Sequence, residues 1–289
     1  MSVPGASGLG VRATTRLVHG ANYAVLTAGG LIMIFPLVWM VLTSLKALPE
    51  TRAYPPIWLP SAFHFENYPD ALTSQPFGLY FRNTAIITVL VVIGDVLSCS
   101  MVAYGFARLR FPLRDFWFVI LLSTMMVPFI VRLVPLFVVF KTLGWINTYL
   151  PLVVPAFFGT PFFIFLVRQF FLTIPAELAD AARIDGCSEP GIWWQIMLPL
   201  SKPALAVVAI LAFQNAWNDF MGPLIYLNSN EMKTAILGLA TMRSPSGLST
   251  EMWNWLMAVA TTMVAPMVVL FVAFQRAFVQ GVVLSGIKG

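Results

Sequence analysis

Long uncharged apolar runs alternate with short polar interruptions along most of this chain. A helix needs about 20 apolar residues to cross the hydrocarbon core of a bilayer. The runs predict six crossings, at about 20–44, 83–107, 116–140, 151–168, 204–227 and 253–275. The fold class expected is all-α: a polytopic transmembrane domain over 17–275, with tails at 1–16 and 276–289. Two long loops, 46–80 and 228–252, separate crossings. No internal repeat is evident. Prolines inside or near the spans, among them Pro128, Pro135, Pro155 and Pro223, predict broken helices. Such breaks survive in a membrane where neighbours or water satisfy the freed backbone groups, which suits a gated path; kinks without function are the plainer alternative.

One long polar interruption, about 172–202, carries Glu177, Asp180, Arg183, Asp185, Glu189 and Lys202 between two apolar runs. Pro175 suits a first helical turn, where its missing N–H costs nothing, and Glu177 lies near the positive end of that helix. Gly186 breaks the helical spacing, as a residue free to take φ > 0 does. A second short helix follows, with Trp193, Trp194 and Ile196, and ends at Leu198-Pro199. The expectation is a helix–Gly–helix hairpin over 175–199, exposed on one side of the membrane. A plain solvated loop is the alternative.

Composition agrees with the pattern. Of 289 residues, 59% are hydrophobic and 10% charged, against about 25% charged in a soluble domain. The net charge of +5 is scattered between spans and does not argue for nucleic acid. The run after Arg12 and Arg16 is too long for a cleaved signal peptide. Basic residues set orientation. With the N-terminus inside, the larger share of Lys and Arg falls on the inner side, most clearly in the short Arg108–Arg114 loop. Both termini and the hairpin are therefore expected in the cytoplasm, and the 46–80 and 228–252 loops outside.

Ionisable groups in hydrocarbon are costly and point to function. Asp95, Arg132 and Asp219 fall within expected spans. Asp95 shares a helical face with Thr84, Thr88 and Ser98. Arg132 and Asp219 are expected at one depth near the outer end, where they can pair; snorkelling to the interface is the alternative for Arg132. Gln214, Asn215, Asn218 and Asp219 fall within an arc of about 140° on a helical wheel. This stripe is read as part of a translocation path, with interhelical hydrogen bonding as the alternative. Phe213, Trp217 and Phe220 lie opposite and read as packing residues.

Asp180-Ala181-Ala182, Asp185-Gly186 and then Ile196, Leu198, Pro199 and Pro203 resemble the E-A-A-x-x-x-G…I-x-L-P loop of ABC-importer permeases, with Asp180 where Glu is usual. The likeness runs from about Pro36 to the end. Asn215-Ala216-Trp217-Asn218-Asp219-Phe220 with Pro223-Leu224 resembles the W-N-D/E-F-x-x-P-L element of sugar-type permeases. Ala103-Tyr104-Gly105-Phe106-Ala107-Arg108 with Phe111-Pro112 resembles the end of their second span. Glu66-Asn67-Tyr68 resembles an outer-loop element, and Phe274-Gln275-Arg276 with the final Ser285-Gly286-Ile287-Lys288-Gly289 their tail. Asp95 and Arg132 are not part of the family pattern. The group most similar is that of the inner-membrane subunits of maltose-, glycerol-phosphate- and oligosaccharide-type importers.

The resemblance implies a multi-pass subunit of a prokaryotic plasma (inner) membrane, working by alternating access. It implies that Glu177, Asp180, Ala181, Ala182, Asp185, Gly186, Leu198 and Pro199 couple to an ATPase. The implied partners are a homologous second permease, two ATPase subunits, an extracytoplasmic solute-binding protein and a sugar-like substrate, with lipid around the spans. No G-x-x-x-x-G-K-[ST] phosphate loop occurs, so no cofactor is expected here and ATP with Mg belongs to the partner ATPase. Neither His19 and His64 nor Cys99 and Cys187 form a metal or disulfide pattern, and no catalytic constellation appears. The alternative is an ion-coupled secondary transporter using Asp95 or Asp219.

Overall fold

The computed structural model describes residues 8–242 and 252–286. Residues 1–7, 243–251 and 287–289 lie outside these. With them go the start of the expected 1–16 tail, Arg243 and the later part of the 228–252 loop, and Lys288 of the last motif. Among the described residues there is no strand. Four helical segments are long and apolar enough to cross a membrane, or six if two sharply bent pairs each make one crossing.

α1 runs from Gly8 to Ser44, so helix begins before the expected start at 20. Two short helices, α2 (Leu48–Thr51) and α3 (Asn67–Ser74), occupy the first long loop. α4 spans Phe77–Arg108, 32 residues without proline. It stops where Leu109 turns extended ahead of Phe111-Pro112.

The expected single crossing at 116–140 is two helices, α5 (Arg114–Ser123) and α6 (Phe129–Thr142). They meet at a bend of 98° after a short 3-10 turn at Thr124–Met126. The cause is local. Pro128 offers no N–H to the ladder and holds Val127 extended, at φ -81° and ψ 112°. The next crossing is also composite: α7 (Leu150–Val153), a 3-10 turn at Val154–Phe158, Gly159 at φ 87°, then α8 (Pro161–Thr173).

The hairpin contains α9 (Ala176–Ile184), α10 (Glu189–Ile192), a π-helical turn at Trp193–Met197 and α11 (Leu198–Leu200). α12 (Lys202–Trp217) follows after a bend of 84°. It ends early, and α13 (Met221–Tyr226) continues after a break. The chain closes with α14 (Ala235–Thr241) and α15 (Trp253–Gly286).

The chain divides into two compact units. In the first, 1–71 with 248–262, the Asn67-Tyr68 pair closes the loop that leaves α1. Asn67 Nδ2 donates to the carbonyls of Ser44 (2.9 Å) and Lys46 (3.0 Å), while Asn254 Nδ2 donates to Asn67 Oδ1 (3.0 Å). The hydroxyls of Tyr68 and Ser44 lie 2.7 Å apart. Lys46 is buried; it donates to Ile57 O at 2.6 Å and stands 4.1 Å from the Trp39 ring.

In the second unit, 72–247 with 263–289, α4 is the post on which α8, α12 and the 154–158 turn pack. Small side chains permit this approach, as in membrane bundles generally. A Cβ at Gly94 would strike the Phe157 ring and the Ala156 backbone. Cys99, Ala103, Phe163, Phe171, Val208 and Ala212 form the core of this packing.

Candidate functional site

The polar hairpin is built on that same core. Ala179, Ala182, Ile192 and Met197 are buried in one cluster with Tyr104, Phe171 and Val208. Complete burial of a side chain the size of Ile192 or Met197 contributes about 2 kcal/mol. The hairpin is thus an extension of the helices beneath it.

Its turn rests on Gly186, whose φ of 81° lies in the left-handed region that glycine takes without penalty. The Cys187 N–H reaches back to Ala182 O at 2.9 Å and the Gly186 N–H to Arg183 O at 3.0 Å, satisfying the last carbonyls of α9. Arg183 then spans the turn. Its Nε donates to Glu189 Oε1 (2.6 Å), its Nη2 to Glu189 Oε2 (3.2 Å) and its Nη1 to Asp180 Oδ1 (2.6 Å). The Tyr104 hydroxyl of α4 donates to the same Glu189 carboxylate. Hydrogen bonds to Glu189 are the main reason the Arg183 pKa is raised, against the opposing effect of burial. One helical turn beyond Tyr104, the Arg108 guanidinium donates to the carbonyls of Phe171 (2.7 Å) and Ile174, capping the end of α8.

The opposite side of α9 is bare. Glu177, Asp180, Ala181 and Asp185 are exposed, Leu178 is 45% exposed and Ile184 87%. Leu198 is half-buried, and Pro199 and Trp194 are exposed on the second limb.

The residues expected along a path are distributed differently. Asp95 is 4% exposed; it accepts from Thr160 Oγ1 at 2.7 Å and lies 3.9 Å from Cys99 Sγ. Thr84, Thr88 and Ser98 are buried with it on one face of α4. Ser98 Oγ donates to Ala156 O (2.8 Å), and Thr84 Oγ1 accepts the Ala235 N–H (2.9 Å). In this conformation that face packs against protein.

The expected Arg132–Asp219 pair is absent among the described residues. Arg132 is exposed on α6, beyond the bend at Pro128 that a straight-span depth count ignores. Asp219 lies after the end of α12 and accepts the Gly222 N–H at 3.1 Å, so it secures the start of α13. The 140° stripe assumed unbroken helix through residue 219, whereas helix stops at Trp217. Gln214, Asn215 and Asn218 are nonetheless exposed. Trp217 is buried, stacks on Phe213 at 5.3 Å and donates to Met263 O at 3.0 Å.

Residues 98–284 match the family described as "Binding-protein-dependent transport system inner membrane component", about two-thirds of the chain. The chain belongs to this family. It is 39% identical over 263 residues to an arabinooligosaccharides transport system permease protein, AraQ, of Halalkalibacterium halodurans, covering 89% of this chain and 92% of the relative. It is 34% identical over 269 residues to the sn-glycerol-3-phosphate transport system permease protein UgpE of Yersinia enterocolitica, covering 91% and 95%. The fold matches a bacterial ABC transporter involved in the import of the acidic polysaccharide alginate, with a TM-score of 0.81 over 95% of this chain and 99% of that one at 22% identity.

This family member is thus a multi-pass inner-membrane transport permease with helical spans. Sequence reasoning found no partners for three of its structural residues. Tyr104 and Arg108 were visible as the last turn of span two, four residues apart and so on one face; only the fold brings them to α8 and α10. Asn147 takes φ 63° and accepts the N–H groups of Asn228 (3.0 Å) and Ser229 (2.9 Å), tying the turn before α7 to the end of α13. Its one signal was an Asn in a short Gly-containing turn.

Proposed function

We propose that this permease is half of the translocation path of an ATP-driven importer for a sugar or sugar-like solute. Coupling runs through the 175–199 hairpin to a separate ATPase. The observation that carries the coupling assignment is the contrast between the hairpin's two sides. One side is buried in the core of α4, α8 and α12. The other offers Leu178, Ala181 and Ile184 to a partner, ringed by Glu177, Asp180 and Asp185. A push on the exposed side is transmitted as a rigid displacement, because packed interiors yield little. The spans then exchange inward- and outward-open arrangements.

The relatives named for arabinooligosaccharide and glycerol-phosphate transport support the solute class. A homologous second permease, two ATPase subunits holding ATP and Mg, and an extracytoplasmic binding protein complete the assembly. Both termini and the hairpin lie in the cytoplasm, where the basic residues are concentrated. Glu177, Asp180, Ala181, Asp185, Gly186 and Pro199 form the coupling surface, with Leu198 half-buried at its edge; Ala182, expected among them, is buried beneath and packs the hairpin onto the core. Of the residues assigned to the path, Gln214, Asn215, Asn218 and Arg132 are exposed.

The test is copurification with solute-stimulated ATPase activity, wild type against Gly186→Pro. Copurification of an ATPase that Gly186→Pro detaches or uncouples is expected. A chain that purifies alone and transports in liposomes under an ion gradient without ATP overturns the proposal.

A further inference from the structure

A cavity of about 800 Å³ lies where α4 ends, between the 109–113 turn and the first turns of α9. Arg108, Arg110, Arg114 and Arg183 line it, together with Asp180 and Glu189. Both carboxylates accept hydrogen bonds from Arg183. Arg108 gives its Nη2 to backbone carbonyls, and its Nε is buried without a hydrogen-bond partner. Arg114 Nε meets Asp115 at 3.2 Å across a pair open to solvent. Arg110 is exposed, with no salt bridge among the described residues. The cavity therefore carries excess positive charge. The N-terminus of α5 opens beside it. Leu113, at φ 57°, precedes that helix and supplies no side-chain cap, and Asp115 in its first turn offsets the positive end of the helix.

The setting is amphipathic. α4 is longer than a bilayer core requires, which puts its last arginine at the membrane surface. Next to the basic wall, Leu113 is 67%, Phe116 54% and Trp117 51% exposed. A free anion has no use for such a rim. A phosphate that brings acyl chains with it does.

We propose that this cavity binds the phosphate of an anionic phospholipid headgroup, with Arg110 and Arg114 facing the phosphate and Leu113, Phe116 and Trp117 against the acyl chains. Basic pockets at the ends of transmembrane helices take anionic headgroups on the same grounds. A lipid there would wedge the end of α4 against the root of the hairpin. The inference stands on the membrane location and does not depend on the coupling assignment.

Native mass spectrometry of the full-length chain in detergent, titrated with phosphatidylglycerol or phosphatidylcholine, tests it. Wild type is expected to retain phosphatidylglycerol preferentially. Arg110→Gln is expected to reduce that retention about fivefold, and Arg110→Gln with Arg114→Gln further. Arg82→Gln, at the other end of α4, is expected to leave it unchanged. Arg110 is exposed and outside the core, so its substitution does not threaten folding. Equal retention of the two lipids by wild type overturns the proposal, as does undiminished retention by the double variant. Displacement of phosphatidylglycerol by millimolar inorganic phosphate also overturns it, by marking a free-anion site.

Discussion

Arg183 Nε sits 2.6 Å from Glu189 Oε1, closing the hairpin across the turn at Gly186. The pair holds the two limbs together, and the Tyr104 hydroxyl on the same carboxylate ties them to α4. Both side chains are about one-third exposed, so solvent screens the attraction and the ion pair contributes on the order of 1 kcal/mol or less. Its importance is geometric. Arg183→Gln is expected to speed amide exchange in α9 and α10 several-fold and to lower ATPase copurification. Glu189→Gln should cost a similar amount, and Arg183→Gln with Glu189→Gln little more than either alone. Hydrogen exchange and pull-down on the same preparations check both; an additive double variant rules out the pairing role.

Gly186 has open space where a Cβ would lie, so substitution there meets backbone strain alone. Gly186→Ala is expected to destabilise the hairpin by about 1 kcal/mol, and Gly186→Asn by less, because Asn tolerates the left-handed region better. Transport and solute-stimulated ATPase should fall in the order Gly, Asn, Ala, Pro. A flat series would mean the turn opens during coupling.

Asp219 distinguishes a structural cap from a path residue. Its carboxylate accepts the Gly222 N–H, a task a carboxamide oxygen performs as well. Asp219→Asn is expected to keep most transport, whereas Asp219→Ala should cost about 1 kcal/mol of stability, as lost caps do. Transport assays and thermal unfolding of both variants decide it. Loss of transport in a stable Asp219→Asn protein returns the carboxylate to the path.

Asn147 accepts two backbone N–H groups and also occupies a positive φ. Asn147→Gly keeps the backbone and loses both hydrogen bonds, each contributing about 1 kcal/mol. Exchange at the Asn228 and Ser229 amides is expected to accelerate about tenfold or more, with the hairpin unaffected. Unchanged exchange would show that the tie is not formed.

Much of this architecture is local and therefore legible. A run without charge long enough to cross a bilayer must be helix, because hydrocarbon leaves backbone groups no other partner. The apolar runs thus predict an all-helical membrane fold. The breaks are half-legible: Pro128 announces an interruption, but the sequence does not give the 98° angle at which α5 and α6 meet. The Gly186 turn can be read from a glycine closing a helical pattern.

What the sequence could not contain is distance between remote residues. Tyr104 and Glu189 are 85 positions apart, and Asn147 and Ser229 are 82; no periodicity relates them. The wheel that grouped Asp219 with Gln214 assumed continuous helix, and the depth count that paired it with Arg132 assumed straight spans. Secondary structure follows from each segment's need to satisfy its own backbone. Which buried polar group finds which partner is decided only when the segments compete for the same interior, and that is settled by packing.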